Sequence, residues 1–304
     1  MDKPLPASQT KHLTNLSHPL PPPYSNISVN LRQISSSSGE TGTTGTTGTT
    51  GTTLWLSAQI LSLYLSSLLG TSTTTNKKND CDGVRINRHD DDDDDDDKKK
   101  QKVVLELGSG IGYTPLVLAN LGWKVISTDI EPVLSTVLKP NIEYNKNTII
   151  GNGKGEIEVK ELDWIYIDEL QHENQVNDLK DTGVPDEMKY LKEEGIDMII
   201  MSDTFYSLSL IQPLWNTLLY ISHFKNDDKP PVIYISLERR DSLLIDHALE
   251  TGKKMGFDLK KVNKSRLNKE IQSSGWGWEG EDWDGVEIWK CRWKGKQRDE
   301  PIDG

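Results

Sequence analysis

At 304 residues the chain has room for one large domain or two small ones. Its formal charge is −12, but eight of the acids form the single run from Asp90 to Asp97, so the remainder is only mildly acidic and offers no broad basic footprint for nucleic acid. Two cysteines, Cys81 and Cys291, show neither metal spacing nor a disulfide framework. With no signal-type N-terminus and no run of roughly 18 apolar residues, the chain reads as a soluble intracellular protein, cytoplasmic with the nucleus left open and with no membrane partner.

Residues 1–50 are rich in Pro, Ser, Thr and Gly and end in a TGTT repeat, a composition that reads as disordered because it buries too little apolar area to offset ordering. Residues 52–69, TTLWLSAQILSLYLSSLL, fill most of a helical period with apolar side chains; Thr52 or Thr53 suits the start and Gly70 the end. Residues 70–100 form a second low-complexity insert, and its eight adjacent carboxylates repel one another and read as solvated. A single domain over residues 51–294, interrupted by that loop and followed by a flexible tail at 295–304, is expected.

Residues 103–107 read as a buried parallel strand carrying one acid, Glu106. Gly108, Gly110 and Gly112 follow, and residues 113–121 read as a helix with Pro115 in its first turn and Gly122 at its C-terminal end. Strand, glycine turn and helix N-terminus let backbone N–H groups approach a ligand closely. The dinucleotide pattern G-x-G-x-x-G fails, because its third small position is Tyr113, and the phosphate loop ending in G-K-[ST] is absent. What stands here, ELGSGIG, resembles motif I of the class I S-adenosylmethionine-dependent methyltransferases.

Residues 123–128 read as a second strand ending at Asp129, 21 residues after Gly108, the usual distance for an acid that accepts from ribose hydroxyls. A solvated strand-end acid is the plainer alternative. Residues 133–145 fit a helix, and a strand from Glu156 runs to Leu162-Asp163-Trp164, where an acid and an aromatic suit an adenine ring. Further strands are expected at 197–202, ending in Asp203-Thr204-Phe205-Tyr206, at 232–237, at 256–259 and at 286–293, with helices at 208–222 and 241–255. Alternating β and α segments argue for an α/β, doubly wound, mostly parallel sheet with an antiparallel edge strand. Residues 263–284, with the GWGWEGEDWDG run, fit no element, and Trp276, Trp278, Trp283, Trp289 and Trp293 suit either the core or a protein-docking face.

GTTLW before a helix, VLELGSGIG, STDIE, LDW, IIMSDTFYS and a final VEIWKCRW together resemble methyltransferase family 16 over residues 51–70 and 101–294. This is a group of Rossmann-like, seven-stranded protein-lysine methyltransferases that includes fungal enzymes acting on translation elongation factors. The resemblance implies S-adenosylmethionine as cofactor, held by Trp55, Glu106, Gly108, Gly110, Gly112, Asp129, Asp163 and Trp164. It implies that Asp203 and Tyr206 shape the channel for the acceptor lysine, with a protein substrate and no metal. A small-molecule N-methyltransferase would share every cofactor residue, and a non-catalytic cofactor-sensing protein is the third reading.

Overall fold

The computed structural model describes residues 3–34, 51–70, 101–149, 155–174, 188–224 and 229–295. The acidic run and the tail after residue 295 lie outside them, as does Cys81. Contrary to the expectation of disorder up to residue 50, residues 3–34 are built into the domain. They form a one-turn helix α1 (Ala7–Thr10) and two antiparallel strands, β1 (Asn15–Pro19) and β2 (Ser28–Arg32). Every second residue of these strands is buried, Leu16 and His18 on one and Val29 and Leu31 on the other.

That N-terminal unit covers helix α2 (Leu56–Gly70), whose residues 56–66 are all buried. A helix apolar around its whole circumference needs cover on both sides. One side lies on the sheet; on the other, the Gln59 amide accepts from Ala7 N–H at 2.8 Å and donates to Leu5 C=O at 3.0 Å and to His18 Nε2 at 2.7 Å. His18 Nδ1 donates to Pro19 C=O at 2.8 Å, and burial pushes the ring down to about 4, so the imidazole is neutral.

The main sheet follows the expected plan. Its strands are β3 (Val103–Leu107), β4 (Lys124–Asp129), β5 (Glu156–Glu161), β6 (Met198–Ser202), β7 (Val232–Glu238), β8 (Phe257–Lys261) and β9 (Val286–Trp293), in spatial order β5-β4-β3-β6-β7-β9-β8. The first five run parallel, while β9 is antiparallel to both β7 and β8. The reversed strand therefore lies one place in from the edge, and β8 forms the edge itself. β3 is buried on both faces, as a strand apolar at every position but Glu106 demands.

Helices cover both faces. On one lie α2 and α3 (Tyr113–Asn120); on the other lie α5 (Trp164–Asn174), α7 (Leu208–Ser222) and α8 (Ser242–Lys254). Between β4 and β5, a π-helical turn (Leu134–Leu138) leads into α4 (Lys139–Asn145). Two asparagines of α4 clamp the free edge of β2: Asn141 and Asn145 each accept from a β2 N–H, at 2.7 and 2.9 Å, and donate to the C=O of the same residue, at 3.0 and 2.7 Å. A short α6 (Tyr190–Glu193) precedes β6.

The stretch that fitted no element holds α9 (Lys264–Ser273) and a 3-10 turn (Gly280–Trp283). Trp276, Trp278 and Trp283 are buried, so the docking-face reading fails for them. Trp276 meets His18 edge-on at 5.6 Å and Trp278 Nε1 donates to Pro4 C=O at 2.7 Å. Among the described residues no helix is long and apolar enough to cross a membrane.

Candidate functional site

The strand order reverses direction between β3 and β6, and a cleft opens at the carboxyl ends of the parallel strands there. The loop after β3 forms its floor. Gly108 and Gly110 have φ of +68° and +54°, and a Cβ on either would crowd a neighbour. At Gly108 it would stand 3.3 Å from both Thr204 and the Trp164 ring; at Gly110, 3.0 Å from Gly51 C=O. The glycines therefore let residue 51 and the strand-end side chains close around the loop.

Asp129, at the end of β4, fixes that loop. Its Oδ2 accepts from Gly110 N–H at 2.8 Å and its Oδ1 from Ile130 N–H at 2.9 Å. Burial pushes its carboxyl up to about 6, against the pull of those two N–H groups. Two polar atoms at the cleft, Trp164 Nε1 and Thr204 Oγ1, are buried without a protein partner. Buried donors of this kind normally find a partner, and at the edge of a cleft these two are free to meet a ligand.

The opposite wall is built around Asp203. Among the described residues it alone has positive φ without being glycine, at 52°, a conformation that costs about 1–2 kcal/mol and persists only where its surroundings enforce it. Those surroundings are visible. Asp203 N–H donates to Ser236 C=O at 2.9 Å, Oδ1 accepts from Glu238 N–H at 2.8 Å, and Oδ2 stands 3.1 Å from the Arg240 guanidinium. Burial raises the Asp203 carboxyl, opposed by Arg240, the Glu238 N–H and the Ser57 hydroxyl. Arg240 also lies 4.5 Å from the centroid of the Trp55 ring, and Lys11 Nζ stands 3.7 Å from the same centroid. Tyr206, 38% exposed, stands at the mouth.

Of the residues singled out in the sequence, Trp55, Gly108, Gly110, Asp129, Trp164, Asp203 and Tyr206 line this one cleft. Three do not. Glu106 is buried beneath the loop, where burial pushes its carboxyl up to about 8 against the hydroxyls of Ser109 and Thr114. Gly112, at φ +85°, begins α3 and makes room for Leu138 and Ile142, each 3.0 Å from where its Cβ would stand. Asp163 is exposed and caps α5, its Oδ1 accepting from Ile165 N–H at 2.8 Å. Sequence reasoning missed Thr204 and Arg240 on the walls and Lys11 on the Trp55 ring. Arg240 carried a signal, because it follows a strand end, where cleft residues of a parallel sheet gather.

Residues 41–248 match a family described as lysine methyltransferase. Methyltransferase-like protein 22 of Mus musculus is 27% identical over 150 residues, covering 47% of this chain and 35% of its own length. The Homo sapiens protein of the same name is 27% identical over 149 residues, covering 47% and 33%. The chain thus spans about a third of the length of these curated relatives. A methyltransferase from Pyrococcus furiosus superposes with a TM-score of 0.38 at 14% identity, covering 64% of this chain and 76% of that one.

Proposed function

The chain belongs to the lysine methyltransferase family, and on that premise we propose that it is an S-adenosylmethionine-dependent protein-lysine N-methyltransferase. The observation that carries this reading is the meeting, in one cleft, of a ligand-ready glycine loop and the strained Asp203 with its buried carboxylate. The cofactor supplies a methyl group made electrophilic by its sulfonium. Gly108 and Gly110 would receive its amino-acid end, Asp129 its ribose hydroxyls, and Trp55, Trp164 and Thr204 the remainder. Trp164 Nε1 and Thr204 Oγ1 fit that task because they are buried and unpartnered. Glu106 and Gly112 serve from below, one under the loop and the other at the helix start, and Asp163 acts as a helix cap.

Methyl transfer is an in-line displacement, so the chain's task is to align an amine lone pair with the methyl carbon, a contribution of about 7–11 kcal/mol. The amine must first be neutral. Holding a lysine of ordinary pKa near 10.4 deprotonated at neutral pH costs about 4.6 kcal/mol. Taking the amine out of water into the channel reduces that cost by disfavouring the ammonium. Asp203, fixed by Glu238 and Arg240, and the Tyr206 hydroxyl orient the amine, and the proton leaves to water. The acceptor we propose is a protein lysine. An elongation factor as that protein is supported by the family resemblance, and the cytoplasm by the sequence reading.

The test is transfer from a methyl-labelled cofactor into lysate of cells lacking the gene, followed on a denaturing gel. A labelled protein band is expected, lost with Asp203→Ala and weakened with Tyr206→Phe while cofactor binding persists. Label confined to the small-molecule fraction would replace this reading with a metabolite methyltransferase. Cofactor binding without transfer to anything would replace it with a binding protein.

A further inference from the structure

Lys11 follows α1 and is held against Trp55, a residue of the cleft wall, by more than its own side chain. Gln33 Nε2 donates to the C=O of Thr10 at 3.0 Å and of Leu13 at 2.8 Å, while its Oε1 accepts from Leu54 N–H at 2.7 Å. One buried amide thus ties the backbone around Lys11 to the backbone that carries Trp55. Lys11 Nζ sits 3.7 Å from the Trp55 ring centroid, and Trp55 shares the cleft wall with Asp203, Tyr206 and Arg240. Among the described residues, five other lysines lie over aromatic rings, those of Trp123, Tyr190, Trp289, Trp283 and Tyr234, and none of those rings lines the cleft.

The electrostatics favour a reactive amine here. Burial and the Arg240 cation lower the Lys11 pKa, while Glu238 and Asp203 pull it back up. The first two effects ease the loss of a proton and outweigh the two carboxylates, which oppose it.

We propose that Lys11 is itself a methyl acceptor, so that the chain modifies its own N-terminal segment in cis. The inference rests on the methyltransferase reading above. In the step, the Nζ lone pair forms a bond to the methyl carbon of the sulfonium donor. The ammonium has first given one proton to water; as the new bond forms the carbon–sulfur bond breaks, its electron pair stays on sulfur as a thioether, and the nitrogen is left as a methylammonium. The product remains a cation, so it keeps its place on the Trp55 face.

The experiment incubates the purified full chain with a methyl-labelled sulfonium donor and reads the Lys11 peptide by mass spectrometry, with gene-deleted lysate labelled in parallel. Methyl on Lys11 is expected, at a rate per molecule unchanged over a roughly hundredfold dilution, because the amine and the site share one chain. Asp203→Ala should abolish it, and Lys11→Arg should remove that label from the chain. An unmodified Lys11 beside a labelled lysate protein overturns the inference and leaves the methyltransferase reading intact; no label on either removes both. A rate that falls with dilution overturns the cis arrangement.

Discussion

Replacing Glu106 by glutamine tests the electrostatics under the glycine loop. Glu106 is 1% exposed, and burial raises its carboxyl from 4.5 to about 8, with the Asp129 charge adding to the rise and the Ser109 and Thr114 hydroxyls opposing it. The unfolded chain releases this proton near 4.5 and the native chain near 8. Between those values the native state holds the extra proton, so stability falls as pH rises and levels off above about 8. At about 1.36 kcal/mol per unit the whole span is worth about 5 kcal/mol, of which about 3 kcal/mol falls between about pH 6 and about pH 9. Glu106→Gln keeps the shape and removes the charge. Its stability advantage over the parent should therefore grow by about 3 kcal/mol across that interval, roughly 6–12 °C in Tm for a domain of this size. Denaturant unfolding of both cofactor-free proteins at the two pH values measures the difference directly, and groups common to both cancel. Parallel pH profiles would refute the argument. Because the Glu106 side chain lies outside the cleft, cofactor affinity should change little; a direct contact would instead lose roughly tenfold or more on substitution.

Two further outcomes concern the cleft itself. Gly110→Ala puts a side chain at φ +54° with its Cβ 3.0 Å from Gly51 C=O, so cofactor affinity by titration calorimetry should fall by about tenfold or more, and unchanged affinity would remove the loop from the site. Asp129 has its carboxyl raised to about 6. In the proposed role its charged form would accept from ribose hydroxyls and its protonated form would offer a donor in the wrong place, so affinity should drop by about tenfold per pH unit below about 6 and hold steady above it. Asp129→Asn should give weak binding with a flat profile, and a wild-type profile that is flat from about pH 8 to about pH 5 would remove Asp129 from that role.

Much of this architecture was legible because the central parallel strands are mostly apolar and the helices between them end at recognisable residues. Val103 to Leu107, Asp129 at its strand end and Gly122 after α3 all declare themselves within a dozen residues. Asp203 was legible as a strand-end acid, but its strained backbone was not, because positive φ in a non-glycine residue is enforced by Ser236 and Glu238 on a different strand. Glu106, Gly112 and Asp163 share the opposite difficulty. Each sits within a motif that touches the cleft, yet its own side chain, or the place where one would stand, faces the strand core, another helix or a helix end. Spacing locates a motif; it does not say which way each member points.

The two stretches that composition handled worst cover one another. Residues 3–34 look too poor in apolar side chains to order themselves, and the tryptophans from 276 to 283 look too many for a surface loop. In the fold Trp278 donates to Pro4, Trp276 meets His18, and both pack over a helix with no polar face to turn outward. Composition judges a segment by what it can bury alone, whereas these partners stand more than 250 residues apart in the chain. One signal for the pairing was nevertheless local. Apart from Gln59, residues 56–66 are apolar or small on every side, and such a helix at the surface of a sheet requires a second layer. That layer also carries the Gln33 tie and brings Lys11 onto Trp55. A substitution that loosens it, such as Gln33→Ala, should therefore lower methylation of Lys11 more than transfer to a partner protein. Equal losses on both acceptors would mean that the layer supports the cleft as a whole and does not deliver the lysine.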